Sequence, residues 1–207
     1  MGELYVETGL NELRMSNYRR ILSLDSAMVV VQFDKDGVQY QRKYFISYPD
    51  SVMVMKFTAN QSGKQNLILS YCPNSEAKSN LRADGKDGLV YTGVLDNNGM
   101  KFAFRIKAIH KGGTLEAEND RLIVKGADEV VFLLTADTDY KMNFNPDFKD
   151  PKTYVGNDPE QTTRIMMDQA VQKGYDELYR NHEADHTALF NRVRLQLNPD
   201  ISSPNLP

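Results

Sequence analysis

Residues 89–109 read LVYTGVLDNNGMKFAFRIKAI, two apolar and β-branched runs on either side of Asn97-Asn98-Gly99. Asn-Gly supplies the positive φ angles of a tight hairpin turn, so Leu89 to Asp96 and Met100 to Ile109 pair as antiparallel strands. In the second run Phe102, Phe104, Ile106 and Ala108 recur at every second position, and Lys101, Arg105 and Lys107 fall between them. That alternation predicts a sheet with one face on a core and the other mainly in water.

The same period of two extends outward from residue 27 to 137, broken about every ten residues by turn chemistry. Ala27 to Phe33 is nearly all apolar, as expected of a strand covered on both faces, and Asp34-Lys35-Asp36-Gly37 turns the chain. Val38, Tyr40, Arg42, Tyr44 and Ile46 share a face of the next strand; Val52 to Thr58 and Gln65 to Tyr71 follow, separated by the loop Ala59 to Lys64. Pro73 to Gly88 reads as loop. Gly112-Gly113, Asn119-Asp120 and Gly126 punctuate three further short strands, the last from Glu129 to Asp137. About nine strands with no intervening helix predict a mainly β chain, an antiparallel β-sandwich over residues 1–157.

At residue 158 the period changes. Asp158-Pro159-Glu160-Gln161 places an acid at the N-cap, proline at the first helical position and glutamine at N3, which together begin a helix. It should run to about Lys173, where Gly174 breaks it. Tyr175, Leu178, Tyr179, His182, His186, Leu189, Phe190 and Val193 then keep helical spacing as one stripe. The expectation is a C-terminal helix pair, a linker over residues 158–192 packed on the sandwich, with a short strand and linker-like tail over 193–207. If the stripe docks throughout, Leu189→Ala or Phe190→Ala costs about 2–5 kcal/mol.

Composition narrows the function classes. The 207 residues carry 25 basic and 28 acidic side chains, a net charge of −3, with one cysteine and no tryptophan. A chain of this size buries about 70% of its unfolded surface, enough for a core without staples. Cys72 cannot pair internally, so no disulfide framework exists. Basic residues stand among acidic neighbours, which argues against a nucleic-acid partner. The longest apolar runs, such as Ala27 to Val31 and Val130 to Leu134, are of strand length, far short of a spanning helix, so no membrane partner is expected.

His182-Glu183-Ala184-Asp185-His186 matches the helical zinc pattern H-E-x-x-H, in which two histidines one turn apart grip the metal and the glutamate acts as base. Both histidines lie on the apolar stripe, and no third ligand follows His186; only His110, at a strand end, completes the histidine count. Packing where helix meets sheet is the expected role, with no metal and no cofactor. Asp137, Asp139, Asp147 and Asp150 are the acids to weigh for glycoside hydrolysis, but they sit in a loop among lysines and read as solvated. Asp34 to Gly37 begins like a calcium loop, yet Phe45 occupies the position of the bidentate glutamate, so a turn is expected. Cys72 and the serines lack the setting of a nucleophile. Asn60-Gln61-Ser62 is a glycosylation sequon only in a secreted eukaryotic chain. Tyr40, Tyr44, Tyr48, Tyr71 and Tyr91 could form a sugar platform; core or inter-sheet packing is the expected role.

In order and spacing, several landmarks resemble the N-terminal β-sandwich and helical linker of the α-L-fucosidases of glycoside hydrolase family 95. They are Gly2 to Val6; Tyr18-Arg19-Arg20 with Leu22, Leu24, Asp25 and Ala27; Tyr40 to Asp50; Gly112-Gly113; Ala127-Asp128; Thr138-Asp139-Tyr140; and His182, Asp185, Leu189-Phe190 and Arg192-Val193. His186 stands where that family is expected to carry tyrosine. The resemblance implies part of a super-sandwich that supports a helical catalytic barrel in cis, with the acid, the base and the glycan-binding residues in the barrel. It therefore assigns no catalytic residue to this chain. It further implies a parent enzyme that is periplasmic or extracellular and inverts at terminal α-L-fucosyl linkages. Met1 to Tyr5 show no signal peptide, as expected if the chain starts partway through such an enzyme. The competing expectation is a free-standing module that binds carbohydrate or protein. Arg19, Arg20, Arg42 and Lys43 beside apolar strands are expected to bridge carbonyls or to be solvated. An edge left open by missing strands would favour a homo-oligomer.

Overall fold

The computed structural model describes residues 2–11, 13–73, 77–118 and 120–193. Within them are twelve strands and one helix: β1 (Gly2–Glu7), β2 (Met15–Ser23), β3 (Met28–Lys35), β4 (Val38–Ser47), β5 (Val52–Ala59), β6 (Gln65–Pro73), β7 (Ala77–Ala83), β8 (Gly88–Leu95), β9 (Lys101–Lys111), β10 (Thr114–Glu118), β11 (Arg121–Ala127), β12 (Glu129–Thr138) and α1 (Pro159–Phe190). The strands form a small sheet in the order β1-β6-β11-β10 and a large one in the order β2-β3-β4-β5-β12-β9-β8-β7. Every pairing is antiparallel. The chain is mainly β and folds as a sandwich, as the period-two pattern predicts.

The hairpin at Asn97-Asn98-Gly99 forms as expected: Gly99 takes φ 72°, and Leu95 and Met100 close the turn. Phe102, Phe104, Ile106 and Ala108 are buried between the sheets, with Phe57, Leu69 and Phe132 from neighbouring strands. The opposite face departs from expectation. Arg105 is only 2% exposed and Ala103 is fully buried, because α1 lies across that side of β9 and β12. A second core of Phe45, Val54, Leu133, Met167, Ala170 and Leu178 fills the space between helix and sheet. Charged residues at alternate positions signalled water, but Arg105 is buried and turns its guanidinium onto the partly exposed Asp84 carboxylate.

Strand number also needs correction. β1, β2 and β7 add to the nine read from the pattern, and the stretch from Pro73 to Gly88 is not all loop, because β7 pairs with β8 along the rim of the large sheet. Its Lys78, Ser79, Asn80 and Arg82 carry no apolar alternation. A strand at a sheet edge needs only one ladder and little side-chain burial, so its pattern is weak. β3 is covered less completely than its composition predicts: Met28 and Val30 pack toward the helix, whereas Val29 and Val31 stay partly exposed.

At the start of α1, Asp158 accepts a hydrogen bond from the Glu160 amide and Pro159 holds the first turn. The expected helix pair is one helical span bent at Gly174, whose φ of 72° and ψ of 171° only glycine adopts without strain. The bend lets two arms follow the twisted sheet. Of the short strand and tail expected over 193–207, only Val193 falls within the described residues.

Candidate functional site

The second arm of α1 runs to the rim of the large sheet at the ends of β2, β3 and β4, and there it borders a groove of about 740 Å³. Two polar clusters hold the arm in place. Asp50, in the turn after β4, accepts hydrogen bonds from Ser47 Oγ (2.7 Å), Lys173 Nζ (2.6 Å) and Asn181 Nδ2 (3.2 Å). One buried carboxylate thus ties both arms across the Gly174 bend. Burial alone would raise the Asp50 carboxyl, but the three hydrogen bonds and the Lys173 charge outweigh it and hold the group below the usual carboxylate range. In the second cluster Glu129 bridges Lys56 (2.8 Å) and Lys111 (2.9 Å), and Lys56 lies 4.2 Å over the Tyr175 ring. Burial first, then the nearby Tyr179, Asp176 and Glu129, push the Tyr175 hydroxyl up to about 12.

The two histidines of the zinc-like string are used by the backbone. His182 Nε2 bonds the Ala27 carbonyl at 3.0 Å and His186 Nε2 the Leu24 carbonyl at 2.7 Å. As donors to carbonyls these nitrogens carry their protons and have no lone pair to give a metal. His182 stacks on Phe45 at 4.9 Å, and His186 stacks on Phe190 at 5.0 Å. His110 makes its own contact, with the Gly112 carbonyl. The histidines therefore fasten helix to sheet at the turn joining β2 to β3.

The acids weighed for glycoside hydrolysis are held by backbone amides, and Asp139, expected to be solvated, is buried instead. Asp139 accepts from the Lys101 amide of β9, Asp137 at the end of β12 from Thr138, and in the loop Asp147 from Lys149 and Asp150 from Lys152. Asp36 and Gly37, both at positive φ, make the turn between β3 and β4, and Asp34 accepts from Asn17. Cys72 is exposed on β6. Asn60 accepts from the Gln39 amide. Tyr71 and Tyr91 are core residues, Tyr40 stacks on Phe33, and Tyr44 meets Phe57 edge-on. Of these five tyrosines Tyr48 is the one widely exposed, at 85%. Arg42 lies over the Phe33 and Phe57 rings instead of bridging carbonyls.

The groove is lined by Val29, Tyr44, Ile46, Tyr48 and Met53 from the sheet and by His186, Leu189 and Phe190 from the helix, with Asp185 its one carboxylate. Leu189 and Phe190 are 58% and 40% exposed, so the expectation that they are buried docking residues is wrong; Leu178, Met167 and Ala170 do that work. The helix outruns the part of the sheet it can lie on. This surface was missed in the sequence because each residue reads as ordinary core, and only the layering leaves it bare. Its chemistry is that of a contact surface, apolar and aromatic.

Comparison with known proteins agrees with this architecture. The family model described as "Glycosyl hydrolase family 65, N-terminal domain" matches residues 1–143. "Probable alpha-fucosidase A" of Aspergillus niger is 27% identical over 203 residues, covering 93% of this chain and 25% of that protein. "Alpha-L-fucosidase 2" of Arabidopsis thaliana is 27% identical over 223 residues, covering 95% and 26%. The chain thus spans about a quarter of the length of these relatives. A solved structure entitled "Putative kojibiose phosphorylase from human microbiome" superposes over 91% of this chain and 27% of its own, with a TM-score of 0.59 at 10% identity, a likeness of fold. The landmarks read as fucosidase-like are therefore matched by α-fucosidase relatives, and the chain belongs to the family of glycosyl hydrolase family 65 N-terminal domains.

Proposed function

We propose that this chain is the non-catalytic support domain of a glycoside hydrolase that removes terminal α-L-fucosyl groups from glycans. The observation that carries the reading is the extent of the match: two α-fucosidases align over nearly all of this chain, which accounts for only a quarter of each. The seating of α1 on Asp50, Ala27 and Leu24 adds a physical reason, since a helix fixed at several points presents whatever follows it at a defined angle. The catalytic part is then a helical barrel in cis. Its inverting reaction needs two carboxyl groups about 6.5–9.5 Å apart, with room for the attacking water. The parent enzyme in this reading works in the periplasm or outside the cell.

A second reading, a module that itself binds carbohydrate or protein, is favoured by the exposed rings of Tyr48 and Phe190 at the groove. An aryl α-L-fucoside assay and a titration with fucosylated oligosaccharides separate the two. The support reading expects neither turnover nor saturable binding by the isolated chain. Turnover would overturn it, and saturable binding without turnover would establish the module.

A further inference from the structure

β2 is the outermost strand of the large sheet and pairs with β3 alone among the described strands. Its residues from Ser16 to Leu22 are all exposed, so neither face of this nine-residue strand lies under a second layer. Three of them, Tyr18, Ile21 and Leu22, are large and apolar. A bulge between Ser16 and Arg19, with Asn17 at φ 52°, spoils the first part of the edge as a template for another strand. From Arg19 to Ser23 the ladder to β3 is unbroken, and there the free edge has no such defence.

The edge is charged in one sense. Arg19 and Arg20 form no ion pair among the described residues. Arg20, Val31 and Arg42 stand in one row across β2, β3 and β4, and they share a depression of about 390 Å³ with Tyr18 and Tyr44. Arg42 is held over the Phe33 and Phe57 rings, so this depression carries two cations and no carboxylate. Full antiparallel overlap of two copies of β2 would set Arg19 against its own copy, and like charges directly opposite destabilise a strand pair. The arginines that keep copies of the chain apart therefore select an acidic strand. We infer that residues 19–22 of β2 receive an extended acidic segment of another polypeptide, added antiparallel like every other strand of the sheet, with carboxylates opposite Arg19 and Arg20 and apolar side chains opposite Ile21 and Leu22. Main-chain hydrogen bonds to the free edge supply affinity. Alternation sends the carboxylate opposite Arg20 toward the depression shared with Arg42, and the one opposite Arg19 to the other face. The inference rests on the fold and not on the reaction proposed above.

The test titrates the full chain, at about 50 mM salt to limit screening, with the fluorescently labelled peptide Thr-Thr-Val-Val-Glu-Glu-Thr-Thr, whose antiparallel register sets its acids against Arg20 and Arg19. The expected result is saturable binding with a Kd below about 1 mM, with amide exchange slowed in β2 and at no other strand edge. The Arg19→Glu/Arg20→Glu variant, matched to wild type in far-ultraviolet circular dichroism, should bind this peptide at least about tenfold more weakly and should take instead the peptide with lysines in place of the glutamates. A scrambled peptide, Glu-Thr-Val-Thr-Thr-Val-Thr-Glu, keeps the composition and loses the pattern, and it should bind wild type at least about tenfold more weakly. Absence of saturable binding, equal binding of the scrambled peptide, or exchange protection centred on another edge would overturn the inference, and the scrambled comparison decides it even where the variant fails to fold. A dimer of the chain in sedimentation that the charge reversal dissociates would also overturn it and assign the edge to a second copy.

Discussion

Leu178 and Leu189 lie on the same stripe of the same helical arm, and they end in opposite surroundings: the first is fully buried and the second is 58% exposed. Around Leu178 the arm meets Phe45, Val54 and Leu133, and His182 closes the contact by stacking on Phe45 and bonding Ala27. Around Leu189 the arm has passed the rim of the sheet and meets a groove. Helical periodicity says which side chains point the same way. Whether a layer waits there depends on how far the sheet reaches, and that is set by strands distant in sequence.

The sharpest way to break this comparison is to empty the buried end. Phe45→Ala should cost about 3–5 kcal/mol and Leu178→Ala about 2–5 kcal/mol in chemical denaturation, because each leaves a cavity under the helix. If Leu178→Ala melted like the wild type, the docked second arm would be wrong.

Next in size is the lock at Asp50. Asp50→Ala removes three hydrogen bonds, two of them across the bend, and should cost about 1.5–3 kcal/mol at neutral pH. The Asp50 carboxyl is depressed in the folded state, so its contribution is complete above its ordinary value of 3.8 and is lost as pH falls through the lower folded value. The stability gap between wild type and variant should therefore close below about pH 3.8; a gap that stays constant down to pH 2.5 would show that Asp50 acts through packing alone.

Gly174→Ala tests the bend itself. Nothing lies within 4 Å of the added methyl, so the cost is backbone strain at φ 72°, roughly 1–3 kcal/mol in thermal or denaturant unfolding. A neutral result would mean that the arms can join at another angle. The smallest effect belongs to the exposed end, where Leu189→Ala should cost about 1 kcal/mol or less. A cost equal to that of Leu178→Ala would erase the difference between the two ends.

Much of the fold was legible residue by residue. Asn97-Asn98-Gly99 and Asp36-Gly37 dictate turns through their backbone preferences, Asp158-Pro159 starts the helix, and Gly174 bends it; all of these are local and act as read. β7 escaped detection because an edge strand needs no apolar face. Arg105 misled because a charge signals water only when no carboxylate is close enough to pair with it, and Asp84 is. The histidines of the zinc-like string pack where helix meets sheet, as their place on the apolar stripe predicts. Spacing set His182 and His186 one turn apart, but two carbonyls at the turn between β2 and β3 claim their ring nitrogens.

Alone, then, the sequence determined the alternation of strands, their turns, the place where the period changes from two to 3.6 and the family likeness that follows from that order. Each of these is written in neighbouring residues, where φ preferences and side-chain spacing act. Tertiary structure decided which faces are covered. A four-stranded layer and a bent helix of limited reach cannot cover both faces of an eight-stranded sheet, and where coverage stops, residues that look like core become a surface.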